Sequence, residues 1–224
     1  MKLTTEQIEY VSNYIKSLDI KWYELQVEFT DHMVTSMEEI WENNPELTFH
    51  QVKQCAESKF VGHSSFKSIQ EERKDILQKE YNRSQRKLIA EFLKFPKIIG
   101  SILLGILAYQ GSFYFEKPSK YLQVLFALLL VSAIPGLYHF IRNYKIQGKR
   151  FLAVSYYSLS LTSILSFPQI GINLSNGFKD EIQQNHLLII PLICFWVIGL
   201  LFCATGIYLD IKHTAKVKKQ YQLN

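Results

Sequence analysis

The sequence predicts an all-α protein in two parts: a helical cytosolic domain of about four helices over residues 1–97, then a four-helix transmembrane bundle with a short basic C-terminal tail over residues 98–224. Three observations predict it. Residues 98–115 contain no Asp, Glu, Lys or Arg, and three further uncharged runs follow; about 18 such residues let a helix cross the roughly 30 Å hydrocarbon core of a bilayer. Charge is segregated, since residues 1–97 hold 16 of the 20 acidic residues and 14 of the 25 basic ones. An overall hydrophobic content of 48% therefore averages a water-soluble part with an apolar one. Before residue 97 the apolar positions recur every three or four residues, the period of a helix face.

The first helix is predicted from about residue 5 to Leu18. Thr4 and Gln7 form a capping box, Leu3 and Ile8 a hydrophobic staple, and Ile8, Val11, Tyr14 or Ile15, and Leu18 keep helical spacing. The N-terminus is polar from its first residues and lacks the apolar core of a cleaved signal peptide, so insertion is expected to begin with the first spanning helix. Thr48 and Gln51 repeat the capping box, with Leu47 and Val52 as staple, and predict a third helix from about Phe49 to Phe60 ended by Gly62.

Between them, residues 21–42 predict a helix stopped by Asn43-Asn44-Pro45. Trp22, Leu25, Phe29, Met33, Met37 and Ile40 make its apolar face, widened by Val27, Val34 and Trp41 as if neighbours grip it on two sides. Opposite runs a nearly continuous acidic row, Glu24, Glu28, Asp31, Thr35, Glu38 and Glu42, with His32 at its edge. Glu28, Asp31 and His32 at i, i+3 and i+4 share one turn, the spacing of a carboxylate–imidazole metal site. Such centres draw ligands from other helices, and no repeated pattern supplies them, so neither metal nor cofactor is expected. The six residues Glu24, Glu28, Asp31, His32, Glu38 and Glu42 are read instead as a face for a protein partner.

A long fourth helix is expected from Phe66 to Phe95, with Leu77, Tyr81, Leu88, Phe92 and Phe95 as apolar stripe. Lys79, Arg83, Arg86 and Lys87 form a basic stripe suited to anionic headgroups at the membrane surface. Residues 1–63 carry 5 basic and 11 acidic residues and residues 64–97 carry 9 and 5, so this helix could also lie against the acidic face. Phe95-Pro96-Lys97 then joins the two parts, with the proline permitting a bend or entering the first turn of the span.

The run Leu3-Thr4, Gln7-Ile8, Tyr14, Ile20-Lys21-Trp22-Tyr23, Glu28, Asp31-His32 and Glu38, with the later Phe60, Gly62, Glu72-Arg73, Tyr81, Phe92 and Pro96-Lys97, resembles a known head domain. It is similar to the small helical cytosolic domain, of the HAAS and permease-prefix type, carried by many uncharacterised bacterial membrane proteins. The resemblance covers about the first hundred residues. It implies a regulatory or adaptor domain on a membrane anchor and supplies no catalytic residues.

Four spans are expected, at about 98–115, 121–141, 151–172 and 187–209. The connection Arg142 to Arg150 has four bases and no acid, and Lys212, Lys216, Lys218 and Lys219 follow the last span, whereas the other two connections are poorer in bases. By the positive-inside rule both termini and the middle loop are cytoplasmic, in a multi-pass protein of the cell inner membrane. Small residues on the first span (Ser101, Gly105, Ala108, Ser112) and the fourth (Gly199, Cys203, Gly206) predict close packing against other spans or a second copy of the protein. The third span carries a hydroxyl row, Ser155, Ser158, Thr162 and Ser166, and Pro135, Pro168 and Pro191 are expected to kink or end spans. His139, Arg142 and Asp210 lie near the cytoplasmic ends of spans two and four, where an anchoring contact is expected. Cys55, Cys194 and Cys203 have no metal-type spacing, and the last two read as small hydrophobes.

These features narrow the function. The net charge of +5 lies in clusters beside apolar runs, which argues for topology signals and against nucleic acid. No G-x-S-x-G, H-E-x-x-H, P-loop or Cys–His arrangement occurs, so an enzyme is not expected. The expectation is a regulatory or adaptor membrane protein, with a small transporter or accessory transport subunit as the alternative.

Overall fold

The computed structural model describes residues 1–61, 66–155 and 157–223, with backbone alone for 60–61, 66–67 and 157–165. Among the described residues it is all-helical. The helices are α1 (Thr5–Ser17), α2 (Tyr23–Asn43), α3 (Phe49–Val61), α4 (Phe66–Phe92), α5 (Lys97–Ser112), α6 (Pro118–Asn143), α7 (Leu152–Ser155), α8 (Tyr157–Gly177), α9 (Lys179–Gln184) and α10 (Ile189–Gln220), with a 3-10 turn at His186–Leu188. They form two compact units. The first is Met1–Gln78 with Lys145–Leu152, and the second is Lys79–Tyr144 with Ala153–Asn224.

In the first unit both capping boxes form. The Thr4 amide donates to Gln7 Oε1 at 2.9 Å while the Gln7 amide donates to Thr4 Oγ1 at 3.3 Å, and the Thr48 amide donates to Gln51 Oε1 at 2.9 Å. Each satisfies amides that a helix start would otherwise leave bare. α2 packs between α1 and α3, burying Leu25, Phe29, Met33 and Met37 against Val11, Ile15, Val52 and Ala56. Each such side chain contributes about 1.5–3 kcal/mol by leaving water. Val34 and Trp41 join the edge of this core, whereas Val27 is exposed. Leu3 drops into the core itself and Ile8 stays exposed, so the expected Leu3–Ile8 staple gives way to a deeper contact. The expected stop at Gly62 lies outside the described residues.

The chain enters this unit a second time at Lys145–Leu152. Ile146, Phe151 and Leu152 are buried there. Ile146 and Lys149 exchange two backbone hydrogen bonds of 3.0 Å around Gln147 (φ 50°) and Gly148 (φ 78°). Positive φ at both central residues is the geometry of a tight hairpin turn, which glycine adopts at little cost.

In the second unit α6, α8 and α10 pack on one another, with α5 on α10 and α9 on α6. Leu122, Phe126, Leu129, Ile189 and Ile193 fill the interior. Polar side chains pin the helices at buried carbonyls: Trp196 Nε1 donates to the Leu125 oxygen at 2.8 Å, Tyr121 Oη to the Ala108 oxygen at 2.6 Å, and Gln85 Nε2 to the Phe202 oxygen at 3.0 Å. Gly171 lets α8 approach α6, because a Cβ there would lie 2.2 Å from the Phe126 ring. The outward faces of α5 and α6 carry exposed Ile102, Leu107, Val131, Ile134 and Ile141. Apolar side chains on the outside suit lipid, not water.

Among the described residues two helices are long and apolar enough to cross a membrane: Pro118–Asn143 and the continuous His186–Gln220. A third candidate is the pair Ser68–Phe92 and Lys97–Ser112, bent by 77°. The expected bundle of four spans is thus reduced to two or three. α5 has 16 residues, about 24 Å at 1.5 Å per residue. It ends at Ser112 instead of 115 because the chain turns through Phe113 to Phe115. The third run is diluted by Ser158, Ser160, Thr162, Ser163, Ser166, Gln169 and Asn173. Its helix α8 nevertheless continues to Gly177, past Pro168, and α6 likewise runs through Pro135. Pro191 sits in the first turn of α10, where its missing N–H costs nothing. None of the three prolines ends a helix. α10 extends beyond residue 209 to Gln220, so the basic tail forms its last turns.

Candidate functional site: a buried carboxylate–imidazole pair and the acidic row of α2

Two polar features stand out, one in each unit. In the second unit, Asp210 on α10 and His139 on α6 meet, with His139 Nδ1 2.5 Å from Asp210 Oδ2. The Asp210 side chain is 1% exposed and that of His139 24%. One turn along α6, Asn143 Nδ2 donates to the His139 carbonyl at 2.8 Å, and one turn along α10 Thr214 is buried as well. A carboxylate this deep persists only with a partner, and the imidazole supplies it. The anchoring contact expected among His139, Arg142 and Asp210 therefore forms between two of the three. Arg142 is exposed. Gln85 was missed by sequence reading, since a glutamine among bases on a polar helix gives no sign of burial; it is 2% exposed.

In the first unit the acidic row divides. Glu24 accepts from the backbone amide of Leu152. Glu28 accepts from Arg73 of α4, with His32 Nε2 3.9 Å away. Glu38 accepts from the Leu3 amide at 3.1 Å. These three carboxylates are engaged inside the unit, while Asp31, His32 and Glu42 are exposed. The row is thus in part a clamp that holds α4, the N-terminus and the returning Lys145–Leu152 segment to α2. Among the described residues no three His, Cys, Asp or Glu side chains converge as metal ligands would.

The returning segment is held further. The Tyr23 amide donates to the Arg150 carbonyl at 2.9 Å, the Phe151 ring meets the Tyr23 ring edge-on at 5.6 Å, and Lys149 Nζ lies 3.8 Å above the same ring. In the sequence these bases read as a topology signal alone. Ile146, Phe151 and Leu152 were the available signal, three apolar residues bracketing a Gln-Gly turn.

Of the predicted membrane-surface residues, Lys79, Arg83, Arg86 and Lys87 are all exposed. The alternative contact with the acidic face is made by Arg73 instead. Of the small-residue faces, Gly199 meets Leu129 and Phe167, and Cys203 and Gly206 are buried. On α5, Ala108 and Ser112 are buried, but Ser101 and Gly105 line an apolar groove of about 490 Å³ with Ile193, Cys194 and Val197 of α10. Ser155 is buried and Ser166 exposed; the side chains of Ser158 and Thr162 lie outside the described residues, so the hydroxyl row is placed only at its ends. Searches of family models, of curated proteins and of solved structures found no match for this chain.

Proposed function

We propose that this chain is a regulatory or adaptor membrane protein without enzymatic activity, whose helical head reads a partner or signal and controls the segment between two membrane helices. The observation that carries this reading is the return of Lys145–Leu152 into the head unit, tied by Tyr23, Glu24 and Phe151. A passive tether would need no such return. Here any change in the head that alters the start of α2 pulls on the residues that join α6 to α8.

The same return bears on topology. α6 is a spanning candidate, and its C-terminal end leads directly into the head unit. On this reading the N-terminal helices and this loop share one side of the bilayer, and α5 supplies the crossing between Gln78 and Pro118. We propose α8 as a further crossing, which would give four spans with both termini cytoplasmic; the basic residues of the loop and of the end of α10 support this reading. The resemblance to HAAS and permease-prefix heads supports the regulatory reading through its residue pattern. Within the acidic row we assign the solvent-exposed Asp31, His32 and Glu42 to a protein partner, and the open Ser101 and Gly105 face of α5 suits a second copy or another membrane helix.

The test is cross-linking and co-purification of the full chain from native membranes. A partner should be recovered with the parent protein and lost with Asp31→Lys combined with Glu42→Lys. Retention of the same partner by the variant removes the proposal. The second reading, a small transporter or accessory subunit, is favoured by the buried Asp210–His139 pair. Substrate-dependent flux in proteoliposomes, abolished by Asp210→Asn, would replace the adaptor reading.

A further inference from the structure

We infer that the end of the second unit where α5 and α8 stop and α6 and α10 begin is an interfacial anchor, a surface fitted to the boundary between lipid headgroups and acyl chains. The anchor rests on the reading of α5 and α6 as membrane crossings and is independent of the regulatory reading of the head. Phe113, Tyr114 and Phe115 follow α5, Phe178 precedes α9 and Leu187 precedes α10, and all five side chains are exposed, Tyr114 by 90%. Contacts between the two connections make them one surface. Gln183 Nε2 donates to the Glu116 carbonyl at 3.5 Å, Gln123 Nε2 donates to Asn176 Oδ1 at 2.6 Å, and the His186 ring stacks on that of Phe113 with centroids 4.3 Å apart.

This surface suits the boundary layer and neither water nor hydrocarbon alone. α5 has 16 residues, about 24 Å against a hydrocarbon core of roughly 30 Å, so its end falls short of a full crossing. A short span is accommodated by thinning the bilayer locally and by interfacial side chains at its ends, and the turn after Ser112 supplies three aromatic rings there. The turn also meets the demand that lipid places on backbone. The amides of Phe113, Tyr114 and Phe115 donate to the carbonyls of Gln110, Gly111 and Ser112 at 3.2, 3.2 and 3.4 Å, so it enters below the headgroups with those donors satisfied. Two of the rings are held in place beforehand: Phe113 lies between Tyr109 and His186, with centroids at 5.2 and 4.3 Å, and Phe115 meets Tyr121 at 5.0 Å. His186 is itself fixed, its Nε2 2.8 Å from Ser112 Oγ. Beside the rings stand the exposed charges Glu116, Lys117, Lys120, Lys179, Asp180 and Glu181. Apolar rings rimmed by charge mark a contact surface, and a Tyr with one apolar and one polar end is suited to the membrane boundary. The three acids match the three bases, so anchoring here calls for the boundary itself and not for anionic lipid.

The experiment uses the full chain in phosphatidylcholine nanodiscs, with Tyr114→Trp and Phe178→Trp as separate fluorescent probes. The emission of the parent protein, from Trp22, Trp41 and Trp196, is subtracted. Val131→Trp, on the exposed side of α6 and near its middle, is the depth reference. Phosphatidylcholine brominated near the glycerol end of its chains should quench both probes more strongly than lipid brominated near the methyl end, and should quench Val131→Trp less strongly. Both probes should emit to the blue of tryptophan in water and lose little intensity to iodide. Replacing part of the phosphatidylcholine by phosphatidylglycerol should leave these ratios unchanged. Probes quenched by iodide and by neither brominated lipid overturn the inference and open the surface to water. Probes shielded from iodide and from both lipids overturn it in favour of a second copy of the chain over this end. A depth equal to that of Val131→Trp, or quenching that needs phosphatidylglycerol, overturns it as well. If Val131→Trp responds to lipid while the probes do not, the crossing of α6 stands and the anchor alone falls; if Val131→Trp is silent too, both fall.

Discussion

Glu24 on α2 accepts a hydrogen bond from the backbone amide of Leu152, 128 positions further along the chain. Leu152 is the first residue of α7, so its amide has no partner within that helix. The carboxylate therefore acts as a cap supplied from a distant element.

Glu24→Ala removes that cap and should cost the head about 1–3 kcal/mol, the penalty for leaving a buried donor unpaired. Glu24→Gln, which keeps an acceptor oxygen, should recover most of it. Amide exchange followed by mass spectrometry should rise at residues 146–152 in Glu24→Ala while the α1 amides keep their protection. Unchanged exchange at 146–152 would show that the aromatic contact of Phe151 with Tyr23 holds the segment without help.

The acid and alkaline limits of head stability should be set by Tyr14, Lys53 and Glu57. Lys53 Nζ lies 2.7 Å from Glu57 Oε1 and 3.6 Å from the centroid of the Tyr14 ring. Burial pushes the Tyr14 hydroxyl up from its ordinary 10.0, and its hydrogen bond to Glu57 adds to this, bringing it to about 12. Burial also pushes the Glu57 carboxyl up, but hydrogen bonds from Lys53 and Tyr14 outweigh it and hold the group below the ordinary carboxylate value. Tyr14 has its folded value raised, so its contribution is complete below pH 10 and is lost as pH rises towards about 12. Glu57 has its folded value lowered, so its contribution is present above the ordinary carboxylate range and is lost as pH falls through the folded value. Urea unfolding across pH should show both losses. Tyr14→Phe should remove the alkaline limb and also weaken the acid limb, because Glu57 loses one of the two hydrogen bonds that hold it low, and Glu57→Gln should flatten the acid limb.

Gly171 and Gly105 should respond to alanine in opposite directions. At Gly171 a Cβ would sit 2.2 Å from Phe126, which is fully buried and has no room to swing aside. Gly171→Ala should destabilise the second unit by about 1–3 kcal/mol through overpacking, and Phe126→Leu should restore part of it. At Gly105 nothing lies within 4 Å, so Gly105→Ala should be neutral or gain up to about 1 kcal/mol of helix propensity. Equal effects at both positions in detergent unfolding assays would contradict the packing of α6 on α8.

The parts legible in the sequence are those where local chemistry and tertiary packing ask for the same thing. Thr4 with Gln7 and Thr48 with Gln51 cap helices through bonds closed within four residues. The three-and-four spacing of Leu25, Phe29, Met33 and Met37 names the face that α1 and α3 cover. Long-range economy was less legible. Glu24, Glu28 and Glu38 look alike as a solvated row, yet each meets a donor that only the fold brings near: a helix start, an arginine of α4 and the N-terminal strand of chain before α1. Arg142 to Arg150 reads as a charged connection because bases outnumber its apolar residues, although Ile146 and Phe151 decide where it packs. Among the described residues two or three helices, not four, are long and apolar enough to cross, for a related reason. Absence of charge marks an apolar run, but hydroxyl and amide groups along α8 and the early turn after Ser112 lower the apolar length that a helix can present.

Asp210 and His139 should behave as one unit. Replacing Asp210 by Leu strands a half-buried imidazole, and replacing His139 by Leu strands a buried carboxylate, so each should be strongly destabilising, the loss of His139 by about 3–5 kcal/mol. Replacing both, as Asp210→Leu with His139→Leu, removes the two desolvation penalties together and should cost far less than the sum, for apolar pairs of similar volume often match buried ion pairs. Unfolding of the four proteins in one detergent gives the double-mutant cycle. A coupling near zero would mean that the 2.5 Å contact does not hold α6 to α10. A large coupling together with unaltered co-purification of a partner by the Leu–Leu variant would assign the pair to assembly of the helices, and would leave signalling to the head and its returning segment.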